Sequence, residues 1–170
     1  MHAATASRPT ATFATFLAGL QAGMIAVCWM LAWLGVSAMW QRRSFWAAEN
    51  LMASMFHGEG AIRRGFGAGT LSGMAVYFIL YSLLGAGFAW AVRDRLTGLG
   101  TLLAAVVFAL SWHYLWFHAI GKTVMPLVAL LHIERSTVFG HVIFGALAAR
   151  FPAYLSSAPL PPEPEDPPLA

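Results

Sequence analysis

Four long stretches almost free of charge decide what this chain can become: residues 14–40, 67–92, 99–121 and 137–154. A helix rises about 1.5 Å per residue, so about 20 apolar residues cross a hydrocarbon core about 30 Å thick. The first three stretches exceed that length and the fourth just reaches it. No water is present inside lipid to satisfy the backbone, and segments this long satisfy themselves only as helices. The expected fold is an all-α membrane protein: a four-transmembrane-helix bundle over residues 13–155, preceded by a short tail over 1–12.

Composition excludes the common soluble classes. Hydrophobic residues make up 59% of the 170 residues and charged residues 10%, where a soluble domain carries about 25% charge. One bundle accounts for the whole length, and no separate soluble domain fits beside it. The formal charge of +3 comes from arginines near the ends of the apolar stretches. It therefore reports topology, and the expected partner is the lipid bilayer, with no nucleic acid. Cys28, the single cysteine, lies in the first span, which rules out an intrachain disulfide, a cysteine metal knuckle and a haem-attachment motif. The first apolar run is far longer than a signal-peptide core of about 7–15 residues, so it is expected to remain as a span.

The connections carry their own pattern. From Ser44, a plausible helix cap, Phe45, Ala48, Met52, Met55 and Phe56 recur at helical spacing, with Asn50, Ser54 and His57 on the other side. This predicts a short amphipathic helix in the headgroup region. Between spans three and four, Thr123 can cap a turn holding Pro126 at a tolerated first-turn position, which predicts a second interfacial or re-entrant helix. The order is then span, surface helix, span, twice over, as in a parallel repeat. Loop 93–98 is short enough to predict that spans two and three are antiparallel neighbours. Residues 156–170 hold six prolines and three acidic residues, the composition of a disordered tail. Arg42, Arg43, Arg63, Arg64, Lys122 and Arg135 fall on the side of the two long links, against Arg8, Arg93, Arg95 and Arg150 opposite. That balance puts the links in the cytoplasm.

Glycine spacing points to close helix packing. Gly19 and Gly23, then Gly69 and Gly73, recur every four residues, and Gly140 and Gly145 mark the fourth span. Lipid tails are as apolar as leucine, so association depends on the backbone approach that glycine permits. Packing within the monomer and packing between copies, or onto another membrane protein, both use such a face. Gly65, Gly67 and Gly69 form an incomplete dinucleotide fingerprint, because Thr70 stands at the third glycine position and no strand precedes it.

The polar residues inside the spans form the candidate site. Ser111, Tyr114 and His118 share one face of the third span, and His113 lies on a neighbouring face. Span four returns from the same side, which sets His141 at nearly the depth of His118. An ionisable group at membrane depth is costly and usually faces the bundle interior. A His118–His141 pair could ligate haem iron or a metal or relay protons, or each imidazole could simply be hydrogen-bonded in the core. Gln21 is expected to bridge helices by bonding Ser72 or Ser82. Paired carboxylates, a serine elbow and an H-E-x-x-H helix are absent from the sequence, so no catalytic residue, resident cofactor or metal is assigned.

The segment AGLQAGMIA within the first span, the link SFWAAENLMASMF, the run GTLSGMAVYFILYSLLGAGFAWAV and the closing VFGHVIFGALAA resemble a family of small four-span bacterial membrane proteins. The resemblance covers nearly the whole chain outside its tails, and its most specific motif is His141-x-x-Phe144-Gly145. The extra histidines and the acidic proline tail depart from the family pattern. The resemblance implies a multi-pass protein of the bacterial inner membrane without an established activity. Some members carry a sodium:proline symporter label. True sodium symporters use two large repeats with broken spans that expose carbonyls to the ion, and the one proline within a span here, Pro152, lies close to the end of the fourth. The leading expectation is a non-enzymatic structural, accessory or oligomer-forming protein. The alternatives are an oligomeric small-solute or ion transporter and a haem- or quinone-binding redox subunit.

Overall fold

The computed structural model describes residues 8–93 and 95–155. Residues 1–7 and the proline-rich tail over 156–170 lie outside the described residues. Four helices are long and apolar enough to cross a membrane: Thr12–Trp40, Ala68–Val92, Leu99–Val124 and Glu134–Leu155. The protein is an all-α four-span bundle, with no strand among the described residues.

In chain order the helices are α1 (Arg8–Trp40), α2 (Ala47–His57), α3 (Ala68–Val92), α4 (Leu99–Tyr114), α5 (Gly121–Val124), α6 (Pro126–Leu131), α7 (Glu134–Ala148) and α8 (Phe151–Leu155). A π-helical segment, Leu115–Ile120, joins α4 to α5, so these three form one span. Arg42 ends the first span by taking φ 56°, a left-handed conformation that stops helical bonding. Ser44 does not cap α2 with its side chain. Its hydroxyl accepts from Trp46 N at 3.3 Å in the turn that precedes the helix. Thr123 likewise falls inside the last turn of span three, and Pro126 opens α6 at its first position.

The first span is the centre of the bundle. More than half of its apolar window (56%) is buried, against 22% for the third span, because α1 packs along both α3 and α7 while α4 packs along α7. The lateral order is therefore α3, α1, α7, α4. Loop 93–98 does not make spans two and three intimate neighbours, since α3 and α4 barely meet. Phe88 of α3 reaches Phe108 of α4 at 5.5 Å and Phe151 at 6.2 Å, and these rings fill the space near the loop. Glycine sets the tight pairs instead. A Cβ at Gly19 would lie 2.7 Å from the Gly85 carbonyl, one at Gly23 2.8 Å from the Tyr81 carbonyl, and one at Gly145 2.7 Å from the Ala105 carbonyl. The α1–α3 and α4–α7 pairs thus each rest on a backbone-to-backbone seam, one in each half of the span, surface helix, span order.

Two of the predicted packing glycines act differently. A Cβ at Gly73 would overlap the Glu49 carbonyl, so this glycine seats α2 against α3 and does not join two spans. Gly69 has only His57 and Ala53 near it, at 3.7 and 3.9 Å, and is not a packing position. Gly140 faces the Met30, Leu34 and Trp33 side chains of α1. The link helix α2 is also more deeply set than an amphipathic surface helix. Glu49, Asn50, Met52 and Ser54 are all buried, whereas Met55 and Phe56 are exposed. Its polar side therefore faces the bundle, because that is where its hydrogen-bond partners are.

Candidate functional site

Those partners belong to a polar region at the end of the bundle where the links lie. Thr70 at the start of α3 donates to Asn50 Oδ1 at 2.6 Å, and Asn50 Nδ2 donates to the Arg64 carbonyl at 2.6 Å. Gly67 N donates to Thr70 Oγ1 at 3.1 Å, so one side chain from α2 fixes the return into span two. Glu49, one position earlier, is 1% exposed and its Oε2 has no partner. Burial pushes its carboxyl up to about 7, and its own backbone N–H offsets only part of that. On the opposite wall, Trp33 Nε1 donates to the Ser136 carbonyl at 2.9 Å, and the Ser37 and Ser136 hydroxyls meet at 2.5 Å. Gln41 Nε2 reaches both serines. Beside these groups opens a cleft lined by Leu34, Ser37 and Gln41 of the first span, Leu51 of α2, Tyr77 of α3, and His132 and Ser136 of the second link and α7.

Four histidines cluster at this end of the bundle, with His132 on the cleft wall. His141 Nδ1 lies 2.7 Å from the Thr137 carbonyl, one turn back on α7, and Nε2 lies 2.7 Å from the Tyr81 hydroxyl. A carbonyl can only accept, so Nδ1 carries the proton and Nε2 accepts from the tyrosine. Both nitrogens of His141 are thereby engaged. The ring of His113 stands 4.8 Å from that of His141. His113 is fully buried, and neither of its nitrogens has a hydrogen-bond partner. His132 donates Nδ1–H to the Ala129 carbonyl at 2.8 Å and stacks on Phe117 at 3.9 Å, which leaves Nε2 buried and unpartnered. Burial lowers the His132 pKa below the ordinary 6.5, and the carbonyl bond works against that without cancelling it. His118 lies on the outer side, with Nε2 3.6 Å from Glu134 Oε1.

The π-helical turn explains why His113 and His118 approach each other. In a regular α-helix a residue five positions on is rotated by about 140° past a full turn, toward the far side. Bonding from i to i+5 over Leu115–Ile120 widens the turn and carries His118 back toward the face of His113. Their ring centroids are 6.3 Å apart. A ring nitrogen of His113, one of His118 and a carboxylate oxygen of Glu134 lie within 4.8 Å of one another.

The arrangement differs from the sequence expectation in three ways. His141 pairs with His113 and Tyr81, and the expected His118–His141 pair does not form, because His118 turns toward Glu134. Ser111, Tyr114 and His118 do share a face, but all three are exposed, so it is the outer face of the span. Gln21 is exposed as well and does not bridge spans; Ser82 Oγ, its expected partner, is buried without a bond. Tyr81 and His132 were missed entirely. His132 closes a link helix of only six residues, too short for periodicity to show its inner face. Comparison with family models, with curated proteins and with solved structures finds no match to this chain.

Proposed function

We propose that this chain is a non-enzymatic multi-pass protein of the bacterial inner membrane with a structural or accessory role, its two link helices on the cytoplasmic side. The observation that carries this reading is the contrast between the two halves of the bundle. Among the described residues, the buried carboxyl and imidazole groups are Glu49 in the first link, His141 in the link-side half of span four and His113 near the middle of span three. Deeper in, α1 and α3 meet through Gly19 and Gly85, and α4 and α7 meet through Gly145 and Ala105, with backbone against backbone. Among the described residues, the buried polar groups remaining there are hydroxyls, such as those of Thr15, Ser82 and Thr101.

A solute pathway needs polar or wet surface through the full thickness of the bilayer, and tightly seamed pairs oppose one within a single copy. The family resemblance, with its symporter label, makes the opposing case testable. Reconstituted into vesicles with an imposed sodium gradient, the purified protein is expected to take up no more proline than empty vesicles do. Sodium-dependent uptake above that background would favour the oligomeric transporter instead.

A further inference from the structure

We infer that His113, His118 and Glu134 form a binding site for a divalent first-row transition-metal ion, with the His132 ring close by, 6.1 Å from that of His113. Three features carry this. The first is the convergence of three donor atoms, two imidazole nitrogens and one carboxylate oxygen, within 4.8 Å of one another. A tetrahedral ion with bonds of about 2.1 Å holds its donor atoms roughly 3.4 Å apart. His118 and Glu134 already stand at 3.6 Å, so modest side-chain rotation closes the set.

The second feature is that His113 is fully buried with both ring nitrogens unpartnered. Buried polar atoms are almost always satisfied, and an orphan of this kind calls for a partner, of which a bound ion is one. His141 beside it shows the contrast, because its nitrogens are taken by Thr137 and Tyr81. The third feature is preparation of the donors. His132 Nδ1–H is held by the Ala129 carbonyl, which leaves the Nε2 lone pair free and fixes the ring, as metal-binding histidines are commonly fixed. The π-helical turn brings His118 round to His113, and such turns recur at functional sites.

The donor set selects the class of ion. Imidazole with carboxylate suits zinc, iron, manganese, cobalt or nickel, whereas magnesium and calcium prefer all-oxygen sites and copper(I) prefers sulfur. His118 and Glu134 are about half exposed on their side chains, which gives the ion a way in from the link side. The bound ion would tie span three to the start of span four at the link end of the bundle.

Cobalt(II) tests this directly, because its weak visible d–d absorption in water shifts to longer wavelength and strengthens when imidazole and carboxylate replace water in a four-coordinate site. Untagged full-length protein in detergent is expected to bind one equivalent of cobalt with such bands, and zinc is expected to displace it. His118→Ala and Glu134→Gln change exposed side chains and are expected to keep the fold, checked by helical circular dichroism. Each should weaken cobalt binding roughly tenfold or more, while His57→Ala, at an exposed histidine on α2, should not. Zinc should raise the melting temperature of the wild type and not that of either site variant. Wild-type protein that leaves the spectrum of millimolar cobalt as it is in water would overturn the proposal, as would shifted, intensified bands that survive both site variants unchanged.

Discussion

At the scale of single residues, the least comfortable side chain outside the spans is Glu49. Burial holds its carboxyl at about 7 against an ordinary 4.5, so the folded chain keeps a proton that the unfolded chain releases. Stability from this group is full below about 4.5, falls as pH rises from there, and levels off above about 7. Its titratable neighbour is Tyr77 of α3, and an ordinary phenol does not ionise in this window. Glu49→Gln keeps the shape and removes the titration. The variant is therefore expected to lose this fall in stability between about pH 4.5 and 7, and above neutrality to exceed the wild type by on the order of 3 kcal/mol at most. Parallel melting curves for the two proteins from pH 5 to pH 8 would show that the carboxyl is solvated and not buried. Little of this was legible in the sequence, where Glu49 reads as one polar residue of a surface helix. Periodicity reports which side of a helix is apolar, and α2 turns its polar side inward to meet Thr70 and the Arg64 carbonyl. The same limit hid the meeting of His113 and His118, because their faces were counted on a regular α-helix and the π-helical turn changes the count.

Among the helices, glycine spacing identified the right kind of contact and only some of the right partners. Gly19, Gly23 and Gly145 do sit where backbones touch. Gly73 serves α2, and Gly69 serves no close contact. The sequence could not separate these, since a glycine looks the same whether it faces a span, a link or lipid. Alanine substitutions do separate them. Gly73→Ala and Gly145→Ala place a methyl into the Glu49 and Ala105 carbonyls and should each destabilise the protein by about 1–3 kcal/mol. Gly69→Ala and Gly87→Ala, the latter with nothing within 4 Å, should be neutral or gain up to about 1 kcal/mol from helix propensity. Thermal unfolding in one detergent compares all four. Equal losses at Gly73 and Gly87 would show that the glycine seams do not hold these helices together.

For the molecule as a whole, the four spans were legible because crossing lipid demands only length and an apolar composition. Their boundaries moved little: the third runs on to Val124 and the fourth begins at Glu134. The lateral order was not legible. Every span is apolar on all sides, so hydrophobicity cannot say which face meets a neighbour and which meets lipid. A short loop proved a poor guide, since α3 and α4 are joined by it and yet separated by α1 and α7. Four spans put both links on one face of the membrane and loop 93–98 on the other. Single cysteines at Glu59, Leu130 and Thr97, in a Cys28→Ala background, report this topology when labelled in intact cells and in inverted vesicles with a membrane-impermeant maleimide. Glu59→Cys and Leu130→Cys are expected to react only from the cytoplasmic face and Thr97→Cys only from the outer face. Labelling of the two link positions from opposite faces would contradict it.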